Sequence, residues 1–497
     1  MANIFSSLHI GVSGLDAAQT QITTTGHNIT NADSEHYTRQ RVVQSAREPF
    51  HDMPGDIGTG TKVDTVVRVH DEFTFARLRT SNINLESSEY KKQILEEISQ
   101  RFPDLQSVGI GRDLQNYFNA WNNLASNPTE GSQKVNLLNS AATLSNSIDK
   151  AHDMLTKIQK DVDSQIEVAV NEINKYAKQI AQINKEIVRV ESVGTTRAND
   201  LRDKRDQLEL AMSKFAGISV FKGQLQSNNI DPTVTDMGTK HQINISGFNI
   251  VDGTTYHPLT VDRISDKSDF KGVFFERDDG KKVDLNGRIS GGKLGAALDL
   301  RGRRVDDSGE FQDGTIQKYI DNLNTFAKGI INETNNIYAR SAVENAVTDE
   351  LDGLSDSRTL MNFNDDIKHG SFDVVVYNNQ GQEVARKTIN INASTTINDN
   401  TRGNSIVRDF NSDTDDNGDN NSLNDVDDYF QANYQYDAAT GKGTFGVTAK
   451  RNAGEYSVAF VDKGTNFPGI IGVNRVFEGG NAKNMSVKSE LMENPHK

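Results

Sequence analysis

LTKIQKDVDSQIEVAVNEINKYAKQIAQINKEIVRV, residues 155–190, is the run from which the rest of the chain can be read. Ile166, Ile173, Ile180 and Ile187 form one apolar seam, and Leu155, Val162, Ala169, Tyr176, Ile183 and Val190 form a second. Both recur every seven residues, the condition under which a helix keeps one stripe against a left-handed coiled-coil partner. The intervening positions are rich in Lys, Glu, Gln and Asn, and neither glycine nor proline occurs from Lys150 to Val193. At 1.5 Å per residue such a helix spans about 60 Å. Its seams need a facing surface, because burying a Leu or Ile side chain is worth about 1.5–3 kcal/mol. A second heptad-spaced run, Ile316, Ile320, Leu323, Ala327, Ile330, Thr334 and Ile337, is the expected partner. The expected coiled-coil core is therefore Leu155, Val162, Ile166, Ile173, Tyr176, Ile180, Ile183, Ile187 and Val190 on one helix, with Ile320, Leu323 and Ile330 on the other.

A weaker seam lies at the N-terminal end. Leu8, Val12, Leu15, Ile22 and Ile29 alternate steps of four and three, with Gln19 and Gly26 in the missing slots. Thr23-Thr24-Thr25-Gly26 interrupts it. Each of these costs a few tenths to about 1 kcal/mol against alanine in a helix. The stretch 4–41 is thus expected to be a poor helix alone. In an isolated subunit it should be mobile, refolded or held by another copy.

The 497 residues suffice for several domains with separate cores. A hydrophobic content of 35% points to domains with much surface. The formal charge of −15 argues against nucleic acid or an anionic membrane as partner, since both demand a basic face. There is no cysteine, hence no disulfide and no thiol chemistry. No run of about 18 apolar residues predicts membrane insertion, and no Sec-type signal precedes the first helix.

In chain order, residues 34–69 read as loops and short strands, and 72–102 as one or two helices. A shorter helix follows, with Leu114, Phe118, Trp121 and Leu124 on one face; Trp121 is expected in a core rather than on a ligand platform. The charged run from Asn199 to Asp206 opens another helix and reads as solvated surface. Between 218 and 288 the period switches to two, with strands at 218–221, 242–245, 272–275 and 282–285. A second β region spans 370–472. The expected fold class is α+β multidomain: an N-terminal axial helix, an elongated coiled-coil helical domain and two inserted or outer β domains. The expected segments are 1–75, 76–217 (helical), 218–290 (β), 291–354 (helical return), 355–475 (outer β) and 476–497.

Catalytic and metal signals are sparse. Asp413-x-Asp415-x-Asn417-Gly418 has the opening spacing of a calcium loop, which would make Asp413, Asp415, Asn417 and Asp419 the ligands. Position twelve is Asn424 rather than a bidentate glutamate, so a solvated acidic loop is the expected state and no metal or other cofactor is assigned. The ten histidines show no metal spacing, and Gly11-Val12-Ser13-Gly14 runs into leucine rather than completing a nucleophile elbow. No enzyme activity is expected.

Six motifs carry a resemblance. Gly14-Leu15-xx-Ala18-Gln19, Thr24-Thr25-Gly26-His27-Asn28-Ile29-Thr30-Asn31-Ala32 and Tyr37-Thr38-Arg39-Gln40 resemble the N-terminal signature of the bacterial flagellar axial proteins. Asp200-Leu201-x-Asp203-x-Arg205-Asp206, Gly291-Gly292-Lys293-Leu294-Gly295 and Val476-Phe477-Glu478-Gly479 resemble, within that family, the hook-associated members that form the hook–filament junction. His36 stands where the family usually has glycine.

The resemblance implies a secreted structural subunit, passed through the flagellar type III export apparatus and assembled as a ring of copies at the hook tip. It implies hook protein, and flagellin or a second hook-associated protein, as neighbours. It also implies an export chaperone on the C-terminal region. On this reading the assembly interface is Leu8, Val12, Leu15, Ala18, Ile22 and Ile29, with Ala18 and the threonines permitting close lateral approach. The family closes with a long amphipathic helix that pairs with the first, and residues 476–497 are not expected to contain it. Alternative readings are another axial protein (hook or distal rod), or a secreted adhesin or enzyme displaying β domains on a helical stalk.

Overall fold

The computed structural model describes residues 4–53, 55–102, 109–192, 196–222, 238–277, 279–399, 401, 404–416, 418–450 and 454–495. The order begins with α1 (Ile4–Thr30), β1 (Gln40–Ala46), β2 (Phe50–Asp52), β3 (Gly55–Ile57) and β4 (Thr61–Arg68). Four helices follow: α2 (Glu72–Arg101), α3 (Ile110–Ser126), α4 (Gly131–Glu191) and α5 (Asn199–Ser213). The first β region holds β5 (Ile218–Phe221), β6 (Gln242–Ile245), β7 (Phe248–Asp252), β8 (Thr255–Tyr256), β9 (Leu259–Ser265), β10 (Ser268–Glu276) and β11 (Lys282–Asp284). After α6 (Gly292–Arg301) and α7 (Thr315–Tyr338) come β12 (Ala346–Val347), β13 (Leu351–Asp352), β14 (Gly370–Asn378) and β15 (Glu383–Ile391). The last strands are β16 (Phe430–Asp437), β17 (Lys442–Ala449), β18 (Tyr456–Asp462), β19 (Phe477–Glu478) and β20 (Ser486–Val487).

Two compact units result. The first comprises Met1–Arg101 and Leu155–Tyr319, the second Phe102–Met154 and Ile320–Lys497. The helical segments 76–217 and 291–354 thus each contribute residues to both.

In the first unit the α4 seam is buried at Leu155, Val162, Ile166, Ile173, Ile180 and Ile187, while Tyr176, Ile183 and Val190 are half-buried. Over 163–184 its facing surface is the β region rather than the second heptad helix. Polar side chains beside the seam tie α4 to strands: Asn174 exchanges two hydrogen bonds of 2.8 Å with the main chain of Leu259 on β9. Asp163 accepts from the Lys271 amide of β10 at 3.0 Å, and Asn184 donates to Gly253 O at 2.7 Å. The sheets behind it are β5-β6-β7-β8 and β11-β10-β9. Strands β7 and β9 escaped the periodicity reading, because neither alternates cleanly between apolar and polar residues.

The second unit supplies the partner that α7 needs. Ala327 and Ile331 are buried against Leu137, Leu138, Ala141, Leu144 and Ile148 of α4, with Tyr117 and Ala120 of α3. The expected pairing of the two heptad runs is therefore corrected: Ala327 and Ile331 of α7 lie on 137–148, and α7 meets the 155–190 run near its own start, where Gln159 Nε2 donates to Gln317 Oε1 at 3.0 Å. Helix α4 starts at Gly131, and its opening turns give α7 a facing stripe. Of the predicted α7 core residues, Ile320 is buried and Leu323 and Ile330 are half-buried. Tyr117, whose hydroxyl lies 2.9 Å from Thr334 Oγ1, is the fully buried aromatic of α3, and Trp121 packs at the margin. A second core joins the sheet β15-β14-β18 to the sheet holding β12, β17, β13 and β16, around Phe372, Val374, Ile389, Phe430, Phe445 and Phe460.

Candidate assembly interface

Helix α1 is continuous from Ile4 to Thr30, through the threonine run expected to weaken it. The threonine hydroxyls close on carbonyls one turn back: Thr23 on Gln19, Thr24 on Thr20 and Thr25 on Gln21, at 2.8–2.9 Å. A hydroxyl satisfied in this way leaves the helix intact. In the structure the stretch is a helix seated on strands β1 and β4.

Its buried face is the polar one. Ser13 and Ala17 are buried, and Thr20, Thr24 and Asn28 are half-buried. These positions lie two residues out of step with the apolar seam, a rotation of about 200° on a helix of 3.6 residues per turn. Strand-facing and apolar residues are thereby on opposite sides. Leu8, Leu15, Ile22 and Ile29 are 61%, 71%, 73% and 71% exposed, Val12 is 45% exposed, and Ala18 is exposed too.

Two local devices seat the helix. Gly60 adopts φ 107°, where a Cβ would stand 2.2 Å from Ser13 Oγ, so glycine allows the strand backbone to reach the helix. The Thr61 amide then donates to Ser13 Oγ at 3.2 Å. At the other end Asn28 holds Gln40 by both main-chain groups, and the Tyr37 hydroxyl donates to Asn28 Oδ1 at 2.8 Å. His27 Nδ1 lies 2.8 Å from the same hydroxyl. The motif residues His27, Asn28, Tyr37 and Gln40 thus form one hydrogen-bonded corner. His36 takes up φ 66° next to it, keeping the left-handed geometry that glycine would adopt more readily.

The charged run on α5 is the feature sequence reasoning missed. Read as solvated surface, it is instead buried at Arg202, Asp203, Arg205 and Asp206, as is Glu209 just beyond it. Arg68 NH1 meets Asp203 and Asp206 at 2.7 and 2.8 Å, and Lys222 Nζ meets Asp206 at 3.1 Å. Glu209 accepts from Arg79 at 3.0 Å and lies 2.8 Å from His241 Nε2. Burial opposes the Glu209 charge, but Lys222, His241 and Arg205 outweigh it and hold the carboxyl below its ordinary range. Burial, and then Arg205, push the His241 imidazole below its ordinary value. The carboxylates of Asp203 and Asp206 at three-residue spacing were the available signal; their cations lie far away in sequence.

The acidic loop organises itself around its own backbone. Asp415, Asp413 and Asp419 are exposed. Asp415 accepts from the amides of Gly418, Asp419 and Asn420 at 2.6–3.2 Å, and Asp419 accepts from Asn421 and Asn424. Asn417 lies outside the described residues. Lys387 Nζ stands 3.5 Å from Asp416 and 3.6 Å from Asp427. Among the described residues no group of three His, Asp or Glu is placed to hold a metal ion.

The first unit thus carries an N-terminal helix with its apolar seam turned outward, beside helices and antiparallel sheets. Residues 95–346, just over half of the chain, match the model of the flagellar hook-associated protein FlgK helical domain. The chain belongs to the FlgK family of flagellar hook-associated proteins. It is 28% identical over 305 residues to flagellar hook-associated protein 1 of Salmonella typhimurium strain LT2, covering 61% of this chain and 53% of that one. With the same-named protein of Bacillus subtilis strain 168 it shares 26% over 227 residues, 44% of this chain and 45% of the relative. The chain spans about half the length of the curated relatives it matches. The flagellar hook junction protein FlgK from Burkholderia pseudomallei aligns with TM-score 0.45 and 17% identity, over 84% of this chain and 64% of that one.

Proposed function

We propose that this chain is a structural subunit of the extracellular bacterial flagellum, joining the hook to the filament. It reaches the hook tip by flagellar type III export and assembles there as a ring. Residues 1–75 act as the axial assembly region, with Leu8, Val12, Leu15, Ala18, Ile22 and Ile29 as its contact face. Its partners are flagellar: further copies of itself, hook protein below, and flagellin or a second hook-associated protein above, with an export chaperone in the cytoplasm.

The observation that carries the reading is the outward seam of α1 in a member of this family. Four side chains more than 60% exposed on one helix face leave apolar surface in water. Covering each is worth about 1.5–3 kcal/mol, enough to drive ordered association of many copies. The chemistry is mechanical: each subunit completes its neighbour's seam, and no covalent step is needed.

The test is complementation of a strain deleted for this gene. The unaltered protein, expressed from its own gene, should restore attached filaments. A strain that keeps attached filaments without the protein would remove the proposal.

A further inference from the structure

The arm formed by α1 and β1–β4 has almost no core of its own and none shared with the body. Of the apolar residues described in 4–78 only Ala17 is buried, so hydrophobic burial contributes little to holding the arm in place. The contacts that fix it are polar, and they converge on one face of α5. Arg68 at the end of β4 is 6% exposed and pairs with Asp203 and Asp206, themselves 11% and 8% exposed. The Thr38 amide donates to Asp203 Oδ2 at 3.2 Å, and Gln40 Nε2 donates to Asp200 Oδ1 at 3.0 Å. Asn199 Nδ2 donates to Val66 O at 2.9 Å. Covalently the arm joins α2 through Val69, His70 and Asp71 alone, which lie outside any helix or strand.

Residues 200, 203 and 206 fall on one side of a helix, and each engages the arm or its link: Asp200 with Gln40, Asp203 with Thr38 and Arg68, Asp206 with Arg68. His70 Nδ1 approaches Asp206 at 3.9 Å and its Nε2 faces Glu72 at 3.2 Å. Behind them Lys222 pairs with Asp206 and Glu72, at 3.1 and 2.9 Å, so the acidic stripe is held from the body side as well. Removing one partner of such a pair leaves the other charge buried and uncompensated, which is costly.

We propose that the aspartate stripe of α5 and Arg68 form an electrostatic latch that sets the angle of the N-terminal arm on the helical body, with residues 69–71 as the hinge. With the latch closed, the α1 seam points in one fixed direction. Neutralising it frees the arm about the hinge while α2, α4, α5 and α6 keep their packing. This goes beyond the assembly reading, because the latch is a property of the isolated chain.

The absence of cysteine allows direct measurement on the full chain. Spin labels at Gln21→Cys on α1 and Lys185→Cys on α4 report the arm–body distance by dipolar electron resonance. The latch requires one narrow distance in the otherwise unaltered chain. It requires loss of that single distance in Arg68→Gln, with helix content by circular dichroism retained, and partial retention in Arg68→Lys. Should Arg68→Gln fail to fold, Asp203→Asn, which keeps the shape and removes one charge, is read the same way. A distance as narrow in the folded neutral variants as in the parent overturns the latch, as does a broad distance in the parent. Leu15→Asp, on the seam, should leave the distance unchanged. Loss of filament attachment in that variant speaks to assembly and not to the latch.

Discussion

Asn28 on α1 holds Gln40 on β1 as a neighbouring strand would: its Nδ2 donates to Gln40 O at 2.9 Å, and the Gln40 amide donates to its Oδ1 at 2.8 Å. The side-chain amide is thereby used on both of its ends. Asn28→Ala should therefore leave a half-buried amide and carbonyl without partners, at a cost of about 1–3 kcal/mol. Asn28→Asp keeps the acceptor and loses the donor, so its cost should be smaller. Faster hydrogen exchange at the Gln40 amide in Asn28→Ala, relative to the parent, is the expected readout.

Gly60→Ala should be among the most damaging changes in the arm. Its φ of 107° is strained for alanine, and the new Cβ would lie 2.2 Å from Ser13 Oγ. The two effects together should cost about 1–3 kcal/mol or more. Adding Ser13→Ala removes the hydroxyl and leaves Ser13 Cβ, at 3.3 Å, as the nearest neighbour. The double variant should recover part of the loss, and thermal unfolding of the pair would show whether it does.

Exposure makes the α1 seam separable from stability. Leu15 and Ile22 are 71% and 73% exposed, so Leu15→Asp and Ile22→Asp should shift folding by no more than about 0.5 kcal/mol. Filament attachment, scored in the deletion strain, should nevertheless be lost. A large fall in Tm of the isolated chain would contradict this placement of the seam.

Acid should weaken the first unit in two stages. His241 has its folded value lowered from 6.5, so the folded state resists its proton. Stability is full above pH 6.5 and falls as pH drops below it. Glu209 is lowered from 4.5, so its contribution is present above that value and lost as pH falls further. The midpoint of urea unfolding should decline from about pH 6.5 downward, and His241→Gln should flatten the upper stage.

His36 occupies φ 66°. A non-glycine residue there gives up roughly 1–2 kcal/mol, so His36→Gly should recover part of that, less the entropy glycine adds to the unfolded chain. A net gain of a few tenths of a kcal/mol, visible as a small rise in Tm, is the expected result.

Much of this fold was legible from residue spacing. Heptad repeats located the buried positions of α4 at Ile166, Ile173, Ile180 and Ile187, and period-two runs located β5 and β6. The motif around Asn28 and Tyr37 by itself carries a resemblance to the flagellar axial proteins. These signals are local: a helix or strand imposes its period on its own residues, whatever it touches.

Only the tertiary structure decided which face meets which partner. The apolar seam of α1 was visible, but its turning outward depends on Ser13, Ala17 and Asn28 fitting the strands better than Leu15 and Ile22 could. The second heptad helix was visible, but its pairing with 137–148 rests on where α4 begins. The carboxylates of Asp203 and Asp206 looked like surface until Arg68, 135 and 138 residues away, was brought beside them. Periodicity records that a face exists. The choice of what covers it is made by contacts between distant segments, and those leave no local spacing to read.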